Sequence, residues 1–431
     1  MKQSGGAAGS GKGRGGRDDL LAELSWRNLV YQSTTGLAEF LGEEGARAYC
    51  GFDPTAPSLH VGNLVPVMGL VHLQHAGHAP IALVGGGTGL IGDPSGKATE
   101  RQLASAEVVA ENSLGVRRQL EKFLDFSGKS AALMRDNAEW LRPLGAIELL
   151  RDVGKHFTVN VMLAKESVQS RIEGGISFTE FSYMLLQAYD YLELYRREGA
   201  RLQIGGSDQW GNITAGVDLI RKVERVSAHA LTLPLVTNSS GTKFGKTEAG
   251  SVWLDPSLTS PYKFYQFWIN VDDRDVGRYL RYFTLLSREE IEALEATTQS
   301  APEKRDAQQA LAKDVTERVH GNGAARLAEE VSRVLFGKAD PDTLSVEVLA
   351  ALSKEVEFVH ATTPPSVVDA LVSVKLAASK GAARRLLQQG GVYINGKRAA
   401  EDASLDTIPA LAGGYYLLRK GAKDYALIKS G

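Results

Sequence analysis

Two segments nearly two hundred residues apart carry side chains suited to phosphate: Pro54-Thr55-Ala56-Pro57-Ser58-Leu59-His60-Val61-Gly62-Asn63 and Lys243-Phe244-Gly245-Lys246-Thr247. The first sets a His and an Asn three residues apart where a helix should begin, and a helix start offers unpaired N–H groups and a positive dipole end to an anion. The second places two lysines and a hydroxyl in a glycine-flanked loop, a donor set fit to cover a polyphosphate. Taken singly, the first can also be read as an ordinary helix start capped by Ser58 with a buried His60, and the second as a solvated hairpin tip. Their occurrence together, in this order, points to nucleotide chemistry.

A third pattern lies in a long helix expected over 178–196, with Phe178, Phe181, Leu185, Leu186 and Leu192 apolar. Tyr183, Gln187 and Asp190 fall at i, i+4 and i+7, within about 60° of one another on the helix surface. The stripe contains no Lys, Glu or Arg, so it differs from an ordinary solvated face. An amide, a phenol and one carboxylate match a small zwitterion bearing a hydroxyl. Two other patterns carry less. Gly87-Thr88-Gly89-Leu90-Ile91-Gly92 fits a dinucleotide fingerprint, but Asp93-Pro94-Ser95-Gly96 intervenes where a helix should open, and Gly96-Lys97-Ala98 lacks the rest of a P-loop. The glycines are expected to let the backbone approach a ligand. His72, His75 and His78 would spread over about 120° of a helix that Gly77 should end, without a carboxylate or thiol partner, so no metal site is expected.

The elements that must hold these residues alternate as in a parallel sheet with crossover helices. A strand near 46–52 leads to a helix over 60–74, a strand at 81–84 and a glycine-rich turn; a later strand at 201–204 runs into Gly205-Gly206-Ser207-Asp208-Gln209-Trp210 and another helix. More than a hundred residues separate the two halves, too many for one crossover, and predict an inserted helical region. Residues 1–17 are glycine- and serine-rich with no large apolar side chain, a disordered tail; Asp18-Asp19-Leu20-Leu21-Ala22-Glu23-Leu24 then reads as an acid-capped helix. From 261 to 336 the period is helical, with Pro302 a helix start and Gly321-Asn322-Gly323 a break. Residues 337–363 read as a connector, and Pro364-Pro365 opens a last compact unit holding an Arg-bearing helix over 379–389 and a hairpin turn at Asn395-Gly396.

A length of 431 residues suggests two or three domains, and 43% hydrophobic with 23% charged residues is ordinary for a globular protein. No apolar run reaches the roughly 18 residues of a membrane span, and no signal peptide is evident, so a cytoplasmic location and no membrane partner are expected. The single Cys50 excludes an intramolecular disulfide and a cysteine-based zinc site. The net charge of −2 is uneven: residues 1–17 hold four bases and no acid, residues 364–431 ten bases against five acids. A basic end on an acidic body suits a partner such as RNA, and equally a solubilising surface.

Over nearly everything from Asp18 onward the chain resembles the bacterial tyrosyl-tRNA synthetases. The two phosphate segments correspond to the HIGH and KMSKS signatures of class I aminoacyl-tRNA synthetases, and the longest matching stretches are 49–55, 83–97, 168–190 and 203–212. The resemblance implies a fold of the α/β class: a Rossmann-like catalytic domain with a helical insertion that forms a homodimer interface (18–260), an α-helical anticodon-binding domain (261–336), a linker (337–363) and a small α+β S4-like RNA-binding domain (364–431). It implies a ligase that activates L-tyrosine with Mg2+-borne ATP as substrate, holds no tight cofactor, and transfers tyrosine to the terminal adenosine of its tRNA.

By the same resemblance, Tyr49 and Asp190 hold the substrate's phenolic hydroxyl, and Asp93, Tyr183 and Gln187 its ammonium, with Gln209 near the carboxylate. Cys50, Gly51, Gly206 and Asp208 serve the ribose and ATP, Asp53 and Asn63 the nucleotide. Thr55 and His60 meet the leaving pyrophosphate, joined by Lys97, Arg101, Lys243, Lys246 and Thr247 from loops. Asn63 replaces the signature's second His, and Phe244-Gly245 replaces Met-Ser, so the apolar anchor of the lysine loop changes. Lys380, Arg384, Arg385, Lys397 and Arg398 are the bases expected on RNA. The alternatives are a tryptophanyl-tRNA synthetase, against which the Tyr49/Asp190 pair speaks, and an RNA-binding protein without activity.

Overall fold

The structure, a computed structural model, describes residues 20–95, 103–172, 174–239, 244–247, 250–400 and 402–431, with 166, 167, 170, 246 and 247 described by backbone alone. The tail expected over 1–17 lies outside the described residues. The chain forms two compact units, one running to Trp253 and including Asp273–Glu295, the other comprising Leu254–Asp272 and Ala296–Gly431.

The first unit is built on a six-stranded sheet. In chain order its strands are β1 (Gln32–Ser33), β2 (Arg47–Phe52), β3 (Ala79–Val84), β4 (Leu133–Asp136), β5 (Leu202–Gly206) and β6 (His229–Leu233), arranged spatially as β1-β6-β5-β2-β3-β4. All neighbours pair in parallel except β1 on β6. β3 and β6 are buried along nearly their whole length; β3 accordingly reads as an unbroken apolar run, whereas β6 carries the buried polar residues His229 and Thr232. From β2 the chain turns to β3 and β4 on one side, and later returns to β5 and β6 on the other. The crevice at the carboxyl ends of β2 and β5 is therefore a topological switch point, where open α/β sheets bind ligands.

The helices that bear on the site are α1 (Leu20–Trp26), α2 (Leu64–His75), α3 (Ala106–Leu120), α4 (Phe178–Glu198), α5 (Trp210–Glu224) and α6 (Asp273–Phe283). α2 is apolar around nearly its full circumference and is buried accordingly; Gly77, at φ +91°, follows its end. β4 corrects the sequence reading, which gave the whole interval to helix. It is a four-residue edge strand of half-buried residues, Leu-Met-Arg-Asp, with no alternation to reveal it.

In the second unit, helices Pro261–Ile269, Asp306–His320, Ala324–Leu335 and Val346–Leu352 precede a five-stranded sheet. Its strands β9 (Glu357–Ala361), β10 (Val392–Ile394), β11 (Lys397–Arg398), β12 (Tyr415–Lys420) and β13 (Asp424–Ser430) lie in the order β11-β10-β12-β13-β9. The stretch 337–363, expected as a connector, instead carries a helix whose Val348, Leu349 and Leu352 are fully buried, and β9, which pairs in parallel with β13. One core joins Val331 and Val334 to those residues and to Tyr415, Leu417 and Leu427. Helix α7 (Lys380–Gln388) is capped by Ser379, and Asn395-Gly396 turns β10 into β11 with φ of +48° and +80°, the turn that such a dipeptide favours.

Candidate active site

The crevice at the switch point has a volume of about 550 Å³. At its floor, α4 presents Tyr183, Gln187 and Asp190, all buried, as the stripe on the sequence suggested. Asp190 Oδ2 accepts from Asn137 Nδ2 at 2.9 Å and Oδ1 from Trp140 Nε1 at 2.7 Å. Burial pushes this carboxyl up to about 8, against the two donors that hold it down. Tyr49 reaches the same crevice from β2, packed edge-on against Tyr191 at 5.1 Å and 1% exposed. Its hydroxyl is buried without a hydrogen-bond partner. Burial first, then the Asp190 charge, raises this phenol well above its ordinary value, so it remains a donor. A donor without a partner beside a carboxyl group with lone pairs to spare is a built place for a ligand hydroxyl.

Above this floor the polar groups form a continuous mesh. Asp93 accepts from Ser95 N at 2.9 Å and from Gln209 Nε2 at 2.6 Å, and Asn212 Nδ2 donates to Gln187 Oε1 at 3.0 Å. Asp53 accepts from Tyr183 Oη at 2.8 Å and Thr88 Oγ1 at 2.7 Å; Asn137 ties Thr88 to Asp190 and accepts from Gly87 N at 2.7 Å. Gly87 and Gly89 of the glycine run pack against protein, correcting the expectation of a ligand against them: a Cβ on Gly87 would crowd Leu141 and Asn137, and one on Gly89 Pro54 and Val109. The turn Thr88–Leu90 follows β3 in place of a helix.

Cys50 and Gly51 on β2, Gly206 at the end of β5 and Asp208 just after it also line the crevice. Burial pushes the Cys50 thiol up to about 12, leaving it a neutral, weak donor. The first phosphate segment departs from its reading. α2 begins at Leu64, after a tight turn over Val61–Asn63, and the N–H groups before it are taken. Gly62 N donates to His60 Nδ1 and His60 N to Asn63 Oδ1, both at 3.0 Å, while Val61 N donates to Val252 O and Asn63 N to His60 O. The segment therefore offers side chains to an anion. With Nδ1 accepting, neutral His60 carries its proton on Nε2, and Asn63 keeps Nδ2 as a donor.

Lys97, Arg101 and Lys243 lie outside the described residues, and Lys246 and Thr247 are described by backbone alone, as strand β7 (Lys246–Thr247) paired with β8 (Gly250–Ser251). The root of this hairpin is held firmly. Phe244 stacks on Phe283 of α6 at 5.4 Å and meets Tyr279 edge-on at 5.0 Å. Gly245, at φ +75°, sits where a Cβ would press on Val61. α6 also grips the preceding strand exit, with Arg278 Nη2 donating to Thr237 O and Ser239 N donating to Asp275.

The family models agree with this geometry. Residues 42–337 match the model for "tRNA synthetases class I (W and Y)", and residues 347–428 that for "Tyrosine--tRNA ligase SYY-like C-terminal domain". The chain is 55% identical over 416 residues to a tyrosine–tRNA ligase of Bacillus caldotenax, covering 95% of this chain and 99% of that one. The chain belongs to the tyrosine–tRNA ligases of class I. It is also 53% identical over 418 residues to tyrosine–tRNA ligase 1 of Bacillus subtilis, with the same coverage. Among solved structures it superposes on a truncated mitochondrial tyrosyl-tRNA synthetase of Aspergillus nidulans with a TM-score of 0.67 at 30% identity, covering 74% of this chain and 94% of that one. Membership of a tyrosine-specific ligase family removes both alternatives, the tryptophan enzyme and the inactive RNA binder.

The sequence reading missed Asn137, Trp140, Thr88, Ser95 and Asn212, which hold the expected groups in place. Thr88, Ser95 and Asn212 lie in the matching stretches 83–97 and 203–212 without a role assigned to them there, while Asn137 and Trp140 have only the signal of an Asn and a Trp three residues apart. All five bases expected on RNA are exposed; Lys380 pairs with Asp369 at 2.6 Å, and the Arg398 guanidinium lies over Gly390. No helix among the described residues is long and apolar enough to cross a membrane.

Proposed function

We propose that the crevice binds tyrosine with its phenol between Tyr49 and Asp190, its ammonium among Asp93, Tyr183 and Gln187, and its carboxylate near Gln209. The observation that carries this reading is the buried, partnerless Tyr49 hydroxyl beside the Asp190 carboxyl. Mg-ATP, taken as substrate, then lies across Cys50, Gly51, Gly206 and Asp208, with Asp53 and Asn63 toward the nucleotide and Thr55, His60 and the lysine loop toward its phosphates. Asp53 acts partly through Tyr183, whose hydroxyl it holds.

The chemistry follows from charge. The substrate carboxylate is already ionised and attacks the α-phosphorus in line; the bond to the bridging oxygen breaks and pyrophosphate leaves. No base is needed, and the protein's task is alignment and stabilisation of charge on the leaving group. Donors such as His60 Nε2–H, the Thr55 hydroxyl and the lysines Lys97, Lys243 and Lys246 with Arg101 hold that charge more tightly in the transition state than in bound ATP, so their binding energy appears as rate. The terminal adenosine hydroxyl of the tRNA then attacks the activated carbonyl and releases AMP.

The last unit serves tRNA through Lys380, Arg384, Arg385, Lys397 and Arg398, all exposed, and residues 261–336 form the anticodon-binding part. Ile147, Leu150, Val159, Val161 and Phe178 are all exposed within one stretch before and at the start of α4, which supports a homodimer formed by the insertion. A cytoplasmic site of action goes with this reading. Tyrosine-dependent ATP–pyrophosphate exchange, assayed with each aromatic amino acid, tests the pocket: equal exchange with phenylalanine would refute it. Sedimentation equilibrium tests the dimer, and a monomer at micromolar concentration would refute that part.

A further inference from the structure

The segment from Pro54 to His60 contains two prolines and no regular secondary structure, so its backbone groups must find partners elsewhere. One face of α3 supplies them. Gln119 Oε1 accepts from Leu59 N at 2.7 Å, and its Nε2 donates to Ser58 Oγ at 2.8 Å; Ser58 Oγ in turn donates to Leu59 O at 2.6 Å. One and two turns earlier, Gly115 lets the Pro57 carbonyl come so close that a Cβ would overlap it, and Asn112 Nδ2 donates to Pro54 O at 3.0 Å. Residues 112, 115 and 119 stand at i, i+3 and i+7, one stripe of a helix. Gln119, Asn112 and Ser58 are all buried, with 6%, 7% and 4% exposure, and none of 112, 115 and 119 lines the crevice.

We infer that α3 is the positioning element for Thr55 and His60, with Gln119 as its principal clamp. The inference rests on the pyrophosphate role proposed above for those two residues. Leu59 N–H is one residue from His60, so the amide of Gln119 fixes the backbone at the point from which the imidazole departs. Without Gln119, a buried N–H loses its acceptor and a buried hydroxyl its donor together. The loop can recover them only by turning toward water, and that turn displaces both Thr55 and His60. A misplacement of about 1 Å in a reacting assembly costs roughly 10²-fold in rate. Tyrosine binding, which uses Tyr49 on β2, Tyr183, Gln187 and Asp190 on α4, and Asp93 and Gln209, none of them bonded to Gln119, has no reason to change.

The test is a kinetic cycle on the full chain. Gln119→Leu should lower the rate of tyrosine-dependent pyrophosphate exchange by about tenfold or more while leaving the KM for tyrosine unchanged. Gln119→Glu keeps an acceptor for Leu59 N and should recover most of that loss. In a His60→Ala background Gln119→Leu should cost less than in the wild type, because one of the two groups it positions is gone. Gly115→Ala, which presses on the Pro57 carbonyl, is the second probe and serves if Gln119→Leu fails to fold by thermal melting. The inference is overturned if Gln119→Leu exchanges within twofold of wild type, raises the KM for tyrosine in proportion, or costs the same factor with and without His60. The single variant His60→Ala tests the underlying reading separately. Unchanged exchange there removes His60 from the chemistry, whereas a slow His60→Ala with fully additive Gln119→Leu removes only the clamp.

Discussion

Tyr49→Phe should make the free protein more stable and the enzyme less selective. In the unliganded crevice the Tyr49 hydroxyl is buried and bonded to nothing, and leaving such a group dry costs about 1–3 kcal/mol. Phenylalanine keeps the ring and its edge-on packing against Tyr191, so the substitution removes the penalty and little else. A gain of about 1 kcal/mol, or about 2 °C in melting temperature, is expected in the absence of tyrosine. With tyrosine bound the sign reverses, because the substrate hydroxyl loses one neutral hydrogen bond of about 0.5–1.5 kcal/mol, a fall of about two- to tenfold in kcat/KM for tyrosine. Phenylalanine gains in the variant, since its bare ring no longer faces an unpaired hydroxyl, so the preference for tyrosine narrows by about tenfold. Differential scanning calorimetry without ligand and exchange kinetics with both amino acids measure the two halves. A lower melting temperature with an unchanged preference would refute the reasoning, because it would mean that the hydroxyl is satisfied within the protein.

Lys246→Ala should slow adenylate formation by about 10²-fold or more while tyrosine affinity stays near wild type, as single-turnover kinetics and equilibrium binding would report. Asp190 binds its proton more tightly folded, at about 8, than its ordinary value of 3.8. Its contribution therefore falls as pH rises from about 4 toward 8 and is level above that, so the melting temperature of Asp190→Asn should lose this part of the wild-type pH slope. Neutralising Arg384, Arg385 and Lys397 together should leave pyrophosphate exchange intact, weaken tRNA charging and reduce the salt slope of tRNA binding by about 2–3. Neutralisation is the cleaner probe of the last unit. Truncation near residue 350 would cut the helix Val346–Leu352 and strip the core it shares with Val331 and Val334.

What could be read from the chain alone was chemistry written in short stretches. The His60/Asn63 and Lys243/Lys246 segments, the uncharged polar stripe of Tyr183, Gln187 and Asp190, and the strand–helix alternation all depend on residues a few positions apart, where helical and extended periodicities act directly. The Asn395-Gly396 turn belongs with them, since only that dipeptide's tolerance of positive φ was at issue. The tertiary structure decided everything that turns on partners. The N–H groups around His60 looked open to an anion, and it is the fold that fills them, one with the carbonyl of Val252 from a distant part of the chain. Gly87 and Gly89 looked like a cradle for a ligand, yet Leu141, Asn137, Pro54 and Val109 occupy that space. Tyr49 had its role from resemblance alone, and it is β2 and α4 that set its hydroxyl, dry and unpaired, in the crevice with Asp190. β4 and the helix Val346–Leu352 escaped the reading because an edge strand of four mixed residues and a seven-residue helix gain their order from the surfaces that they bury and carry almost none in their own pattern. Hydrogen-bond satisfaction and burial belong to the assembled fold, so a sequence can name the groups that do the work without saying which of them remain free to do it.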